Sequence, residues 1–319
     1  MNVLISGLSG FIGRNLHRFL SEHSKSIRVY GFVRNEVDCK HLLAKPTRCL
    51  THVDSRILDQ FEIDVIIHLA GIAHDLSGKF SVEDYENVNF HLTKHLYQEF
   101  CVAKYTSKFV FISSVKALAD DLKNDILTER TIPSPDTPYG KSKLKAEQYI
   151  LSHPHDKKSS YILRPSMVYG PENKGNLNTL HRFISKGYPY PFGAFENKRS
   201  FLSVNNLSFI ILEILSGKVV SGDYNCSDSL DLSSVDLVRF IAEALNKKVK
   251  VYRLNTSIVR LIAFLGSLMN LPFNKKVLHK LTGSYQVSSQ KILDALGIEE
   301  LPFKTKDELI KTIKSFENS

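Results

Sequence analysis

The chain is poor in cysteine. Its 319 residues hold four, Cys39, Cys49, Cys101 and Cys226, far apart, with no Cys-x-x-Cys pair and no histidine cluster at metal-ligand spacing. This excludes a disulfide-stapled scaffold and a structural zinc, so the expectation is a reduced, cytoplasmic protein with no metal site. Tryptophan is absent, glycine (16) and proline (11) are not enriched, and no repeat or low-complexity tail appears, which excludes fibrous and disordered classes. Long apolar runs are missing as well. The long uncharged stretch 261–274 contains Gly266 and Pro272 and falls short of the ~20 residues of a membrane span. It reads as a buried or partly exposed helix, or else as an interfacial one, and no stable membrane insertion is expected. The apolar, glycine-rich first twenty residues lack a basic leader and a small-residue cleavage site, so no signal peptide is expected.

What is present is the material of an ordinary globular protein. Apolar residues make up 43% of the chain, enough for a sizeable core, and the length suggests about two domains. The formal charge of +9 fits nucleic acid, a membrane surface or a small anionic substrate and cofactor, and does not choose among them. Short β-branched runs at residues 2–6, 27–33, 49–53, 65–69, 108–113 and 161–164 read as strands. Helical spacing over 11–23, 83–103 and 139–151 falls between them. Strands apolar almost throughout belong to parallel sheets covered on both faces. The expected fold is α/β, a doubly wound parallel Rossmann sheet over residues 1–165 with a smaller C-terminal substrate-binding domain over 166–319. Some segments of the second half can return to the first. In that half the rhythm is lost, with helices expected over 178–186, 234–245 and 258–269.

Two motifs carry chemistry. The first strand runs into Gly7-Leu8-Ser9-Gly10-Phe11-Ile12-Gly13 and then a helix, the arrangement in which glycines let backbone approach a pyrophosphate and a helix N-terminus supplies positive potential. About twenty residues on, where an acid commonly binds the ribose hydroxyl of NAD, the sequence reads Phe32-Val33-Arg34-Asn35. A guanidinium there suits a 2′-phosphate, so Arg34 favours NADP(H) with NAD(H) still possible, unless it is a plain surface arginine. The second motif is Ser113-Ser114 followed by Tyr139-Gly140-Lys141-Ser142-Lys143. Tyr139 and Lys143, four apart, share a helix face. An ammonium and an oxidised nicotinamide nearby both favour phenolate, making an acid/base that works near neutral pH. Ser114 shares the charge on the same substrate oxygen.

These motifs in this order resemble the extended short-chain dehydrogenases/reductases, the NAD-dependent epimerase/dehydratase family, over nearly the whole chain. The resemblance implies catalytic roles for Ser114, Tyr139 and Lys143. Thr137-Pro138-Tyr139-Gly140-Lys141-Ser142-Lys143, with Ser114 25 positions before Tyr139, is similar to the UDP-galactose 4-epimerases and selects Ser114 over Ser113. It implies a cofactor site made by Gly7, Ser9, Gly10, Phe11, Ile12, Gly13 and Arg34, by Asp54 near the adenine amine, by the turn Leu69-Ala70-Gly71, by Asn89 supporting the backbone, and by Tyr139, Lys143 and Pro165. It also implies a UDP-sugar site. Lys174-Gly175-Asn176-Leu177 and Arg199 resemble the diphosphate-binding elements, and Tyr190-Pro191-Phe192-Gly193 a uracil pocket, with core aromatics as the other reading. Asn206 stands where the family usually has an acid.

Ser113-Ser114-Val115-Lys116, His68-Leu69-Ala70-Gly71-Ile72-Ala73-His74, the stretch 189–199 and Leu281-Thr282-Gly283-Ser284 resemble bacterial UDP-4-keto-6-deoxy-N-acetylhexosamine 4-reductases, which adds Lys116 to the substrate residues. The implied activity is NADPH-dependent reduction of that 4-keto sugar for surface polysaccharide. A UDP-hexose 4-epimerase with tightly held NAD is the nearest alternative. A dehydratase is disfavoured by Ser114-Val115-Lys116, and a non-catalytic nucleotide sensor or scaffold by the intact Tyr139 and Lys143. The phosphates of cofactor and substrate account for the positive charge, no nucleic-acid partner is expected, and the reading leaves room for a homodimer.

Overall fold

The protein is described by a computed structural model covering residues 1–34, 47–73, 79–122, 125–173, 175–269, 271 and 273–317. Asn35, Cys39, His74, Lys174 and Pro272 lie outside these. In chain order the strands are β1 (Asn2–Ser6), β2 (Arg28–Phe32), β3 (Arg48–Leu50), β4 (Val65–His68), β5 (Lys108–Ile112), β6 (Ile126–Leu127), β7 (Ser159–Pro165), β8 (Met167–Tyr169), β9 (Phe201–Ser203), β10 (Gly222–Cys226) and β11 (Gln286–Val287). Seven of them form one parallel sheet in the order β10-β7-β5-β4-β1-β2-β3.

Alternation along the central strands builds two apolar layers at once. Val3, Ile5, Val65, Ile67, Val110 and Ile112 face one side, with Leu16 and Leu20 of the helix Phe11–His23 and Leu207, Ile210, Ile211 and Ile214 of the helix Val204–Leu215. Leu4, Ile66, Phe109 and Phe111 face the other, against Leu96 and Phe100 of the helix Leu92–Val102 and Ala146 and Ile150 of the helix Pro138–Ser152. Burial on both faces is what makes these strands read as continuous apolar runs. The strand order reverses between β1 and β4, and the turns leaving the C-terminal ends of both strands open at that point, the crevice where doubly wound sheets bind ligands.

A second core joins the helices Asn176–Ser185, Ser234–Ala244 and Thr305–Glu317 through Leu177, Ile184, Leu237, Val238, Ile241, Leu309 and Ile313. Two small parallel pairs, β8 with β9 and β6 with β11, link it to the sheet. The pattern expected over 83–103 is one helix, but the structure inserts a single π turn, Glu86–His91, between Val82–Tyr85 and Leu92–Val102. Cys101 and Cys226 are free thiols, whereas Cys49 is disulfide-bonded, its partner lying outside the described residues. This corrects the expectation of four reduced cysteines, because spacing in sequence does not say which thiols come within bonding distance.

Candidate active site

The candidate reacting groups are set by the end of β5 and the start of the helix Pro138–Ser152. Thr137 caps that helix, accepting from the Gly140 N–H at 3.1 Å, and Pro138 occupies its first turn. Asp120 holds the cap in turn, accepting from the Thr137 N–H at 2.8 Å and hydroxyl at 2.9 Å. Ser114 is extended and caps the short 3₁₀ turn Val115–Ala117. Glycine at position 140 lets the two elements meet: a Cβ there would fall 2.4 Å from the Lys116 carbonyl oxygen and 2.8 Å from Pro135.

This docking brings Ser114, Tyr139 and Lys143 together. Ser114 hydrogen-bonds the Tyr139 phenol. The Lys143 ammonium, buried, donates to the Ile112 carbonyl at 2.9 Å, which fixes it beneath the end of β5. Burial lowers its pKa to about 8, against an opposing pull from Glu147, so it remains a cation at neutral pH. Burial pushes the Tyr139 phenol above its usual value, opposed by the Ser114 hydrogen bond. In the chain alone Tyr139 is therefore a protonated phenol.

One residue that the sequence reading passed over sits a turn further along the same face. Glu147 is 1% exposed, accepts from the Ser113 hydroxyl and from Arg164 Nη2 at 2.8 Å and Nε at 3.0 Å. Arg164 reaches on to Asp223 at 2.6 Å, and Asp223 to Lys291 at 2.9 Å. The visible sequence signal is a glutamate four positions after Lys143 on an otherwise inward face.

The dinucleotide crevice lies alongside. Gly7 has φ +72°, and a Cβ on it would meet the Ala70 nitrogen at 2.7 Å; one on Gly13 would meet the Gly7 carbonyl at 2.5 Å. Gly10 differs. It is exposed, and a Cβ there would find only the Gly7 carbonyl, at 3.2 Å, so protein packing leaves open the space above it. No side chain caps the helix that Gly10 starts, leaving its N-terminal amides to an anion. The crevice thus fits a pyrophosphate, with Ser9, Phe11 and Ile12 on its rim, all partly exposed.

Across the switch point, Leu69-Ala70-Gly71 follows β4. The Ala70 N–H donates to Ser6 Oγ at 3.2 Å, and a Cβ on Gly71 would lie 2.9 Å from Asn89 Oδ1 and 3.2 Å from Lys143 Nζ. The π turn aims Asn89 here: its Oδ1 accepts from the Ile72 N–H at 2.8 Å, and its Nδ2 donates to the Ile72 carbonyl at 3.1 Å and to Ser142 Oγ at 3.0 Å. Pro165 ends β7 in the interior, and Arg34 is exposed just past β2. Asp54 caps the helix Ser55–Gln60 through the Ile57 N–H at 2.8 Å, and its other oxygen meets Arg56 at 3.2 Å.

Of the residues expected to hold substrate, Lys116 has its pKa lowered, chiefly by burial, with the nearby Arg199 adding to the effect and Asp120 and Asp121 opposing it. Lys116 donates to the Asp120 carbonyl at 2.6 Å and sits 4.0 Å from the Tyr285 ring centroid. Arg199 donates to the Gly283 carbonyl at 2.7 Å and, among the described residues, has no carboxylate within ion-pair distance. A largely buried guanidinium without an acid is a place for an anion. Leu177 and Tyr190, by contrast, lie inside the second core, and Phe192 packs edge-on to Tyr190 and stacks on Phe273. Asn176 opens its helix. Asn206 is buried, donating to Asp228 at 2.7 Å and to the Phe303 carbonyl at 2.8 Å, so it acts as a structural tie.

Comparison with known proteins agrees with this geometry. Residues 3–227 match the model of the NAD dependent epimerase/dehydratase family. The chain is 31% identical over 309 residues to a UDP-glucose 4-epimerase of Vibrio cholerae, covering 93% of this chain and 90% of that one. It is 28% identical over 299 residues to an N-acetyl-α-D-glucosaminyl-diphospho-ditrans,octacis-undecaprenol 4-epimerase of Escherichia coli O157:H7, covering 91% and 84%. Among solved structures, a UDP-glucuronic acid 4-epimerase from Bacillus cereus in complex with NAD shares the fold with a TM-score of 0.75 at 19% identity, over 100% of this chain and 99% of that one. With the glycine turn, the Ser114-Tyr139-Lys143 cluster and the family match in agreement, this chain belongs to the NAD-dependent epimerase/dehydratase family of enzymes.

Proposed function

We propose that the chain reduces the C4 keto group of a UDP-4-keto-6-deoxy-N-acetylhexosamine with NADPH, in the making of surface polysaccharide sugars. The observation that carries this reading is the meeting of Ser114, Tyr139 and Lys143 at the end of β5 beside the dinucleotide crevice, with the Tyr139 phenol kept protonated by burial. A reduction needs a proton donor at the carbonyl oxygen, and a neutral phenol is one. Ser114 orients that oxygen and shares its developing charge, while the Lys143 ammonium, fixed on the Ile112 carbonyl, favours the phenolate left behind and so lowers the cost of proton release.

The dinucleotide would be held by Gly7, Ser9, Gly10, Phe11, Ile12 and Gly13 at its pyrophosphate, by Arg34 at a 2′-phosphate, and by Leu69, Ala70, Gly71 and Pro165 near the nicotinamide. When bound, it supplies the hydride. Asn89 holds the Ile72 backbone and the Ser142 hydroxyl against this crevice. Lys116 and Arg199 would take the diphosphate end of the UDP-sugar, with the backbone at Asn176 and Leu177 beside them and Phe192 toward the base.

A second reading is favoured by the curated relatives, two of which are named as 4-epimerases: the same three residues would serve a UDP-hexose 4-epimerase that keeps its NAD. Hydride accounting separates the two. The purified protein is expected to oxidise one NADPH per 4-keto sugar nucleotide and to leave UDP-glucose and UDP-N-acetylglucosamine unchanged. Interconversion of UDP-hexoses without added reductant would replace the reductase with the epimerase. Arg34→Ala is expected to erode the preference for NADPH over NADH, and equal use of both cofactors by the unmodified chain would remove Arg34 from the argument.

A further inference from the structure

The helix Thr256–Leu268 carries two apolar stripes. Val259, Ala263 and Gly266 face inward, against Leu278, Phe273 and Phe195. At Gly266 the approach is so close that a Cβ would fall 2.0 Å from the Phe273 carbonyl oxygen. The second stripe has no cover. Ile258, Leu261, Ile262, Leu265, Leu268 and Met269 follow one another at helical spacing and are 59, 56, 52, 47, 67 and 68% exposed. Leu271 and Phe264 extend it. A contiguous apolar face of this kind marks a docking surface.

Charge says what docks. Between Glu243 and Asp294 the sequence holds nine lysines and arginines and no acid. The net charge of +9 therefore resides in this one segment, the rest of the chain having 33 basic and 33 acidic residues. Lys250, Arg253, Arg260, Lys275, Lys276 and Lys280 are all exposed. Lys275 reaches over Phe264, 4.2 Å from its ring centroid, and with Arg260 and His279 lines a cleft of about 490 Å³ beside the helix. From other elements, Glu196 borders this cleft and Asp121 lies 3.1 Å from His279.

We propose that this helix and its basic surround seat the protein on an anionic lipid bilayer. Aliphatic side chains that enter the headgroup layer beside lysines and arginines are the composition of an interfacial helix. The helix is too short to cross: no helix among the described residues is long and apolar enough to span a membrane. A second copy docking by the same face would bring Arg260, Lys275 and Lys276 against a second set of the same cations, which like-charge repulsion opposes. A nucleic acid would use the cations but not a leucine and isoleucine stripe, since single strands are held by aromatic stacking.

The test uses the full chain with vesicles of phosphatidylcholine alone and of phosphatidylcholine mixed with phosphatidylglycerol. The protein is expected to sediment with the anionic vesicles only and to be released by about 0.5 M salt, where the Debye length shrinks to a few ångströms. Leu261→Glu with Leu265→Glu, both at exposed positions, should abolish sedimentation while the thermal unfolding midpoint and dinucleotide binding stay unchanged. Lys275→Ala with Lys276→Ala should weaken vesicle affinity about tenfold or more, at roughly a factor of five per cation near the surface. Because the chain has no tryptophan, Leu261→Trp gives a single fluorescent reporter, whose emission should shift to the blue on anionic vesicles. No sedimentation with anionic vesicles overturns the proposal. So does an unshifted emission from the Leu261→Trp variant on vesicles that do carry the protein. A change of oligomeric size in the glutamate variant without any vesicle binding by the parent would assign the stripe to a protein partner instead.

Discussion

Gly140 and Lys116 are in backbone contact across the active site, the glycine's missing Cβ leaving room for the lysine's carbonyl oxygen, which would stand 2.4 Å from it. That contact registers the helix bearing Tyr139 and Lys143 against the turn bearing Ser114. Gly140→Ala is expected to destabilise the fold by about 1–3 kcal/mol, the usual cost of overpacking, and to depress turnover beyond what the stability loss explains. Steady-state kinetics well below the unfolding temperature, set beside denaturant titration, checks this; a stable variant with parental kinetics would show that the register is set elsewhere.

Tyr139→Phe removes the proposed proton donor and leaves the crevice intact. Turnover is expected to fall by about a hundredfold or more, with dinucleotide affinity unchanged by calorimetry. Near-parental turnover would move the acid to another group.

Arg199 is largely buried and has no carboxylate within ion-pair distance among the described residues. Arg199→Ala should weaken UDP binding by about 1.5–3 kcal/mol, the range for hydrogen bonds to charged groups, and leave the dinucleotide alone. Calorimetry giving the reverse pattern would place Arg199 outside the substrate cleft.

His68 links the two strands at the switch point, with Nδ1 2.6 Å from Ser6 Oγ and Nε2 2.8 Å from Thr93 Oγ1. Thr93 donates to the Asn89 carbonyl at 2.7 Å, so it accepts from Nε2–H, and Nδ1 is left to accept from Ser6. Burial, reinforced by the nearby Lys143 charge, lowers the His68 pKa to about 3. Between that value and about 6.5 the unfolded chain binds a proton that the folded chain does not. His68 therefore makes stability fall as pH drops through this window, by up to about 1.4 kcal/mol per pH unit. Urea titrations at pH 7, 6 and 5 should give the parent a steeper pH slope than His68→Gln. Parallel slopes would mean that His68 charges without cost.

Some of this was legible in the amino-acid order and some was not. Residues 11–23 and the strands around them declare themselves because each pattern is local and buried on both faces, and Tyr139 and Lys143 share a face by spacing alone. The π turn at Glu86–His91 is invisible because one extra residue in a turn hardly alters an amphipathic pattern. Glu147, Arg164 and Asp223 meet only through the crossover from helix to β7 to β10, so no local signal joins them. The sequence offers Tyr190 as an aromatic in a loop without saying which way it points, and it turns into the second core. Asp54, followed three residues later by the amide it caps, carries the ordinary signature of a helix start.

The edge strand β10 is contributed by residues 222–226, after the chain has already built β8, β9 and two helices of the second half. No single cut therefore divides the molecule into two self-sufficient pieces. A fragment ending near residue 165 would leave β7 as a raw sheet edge and strip Arg164 of Asp223, its partner at 2.6 Å. Arg164 would keep Glu147 as its partner, but the pair, directly under the helix that bears Tyr139 and Lys143, would lie at an edge open to water. Evolutionary exchange of the substrate-binding half for that of a relative must accordingly carry β10 along or match it in register, so that new specificities are more readily reached by changing loops than by swapping domains.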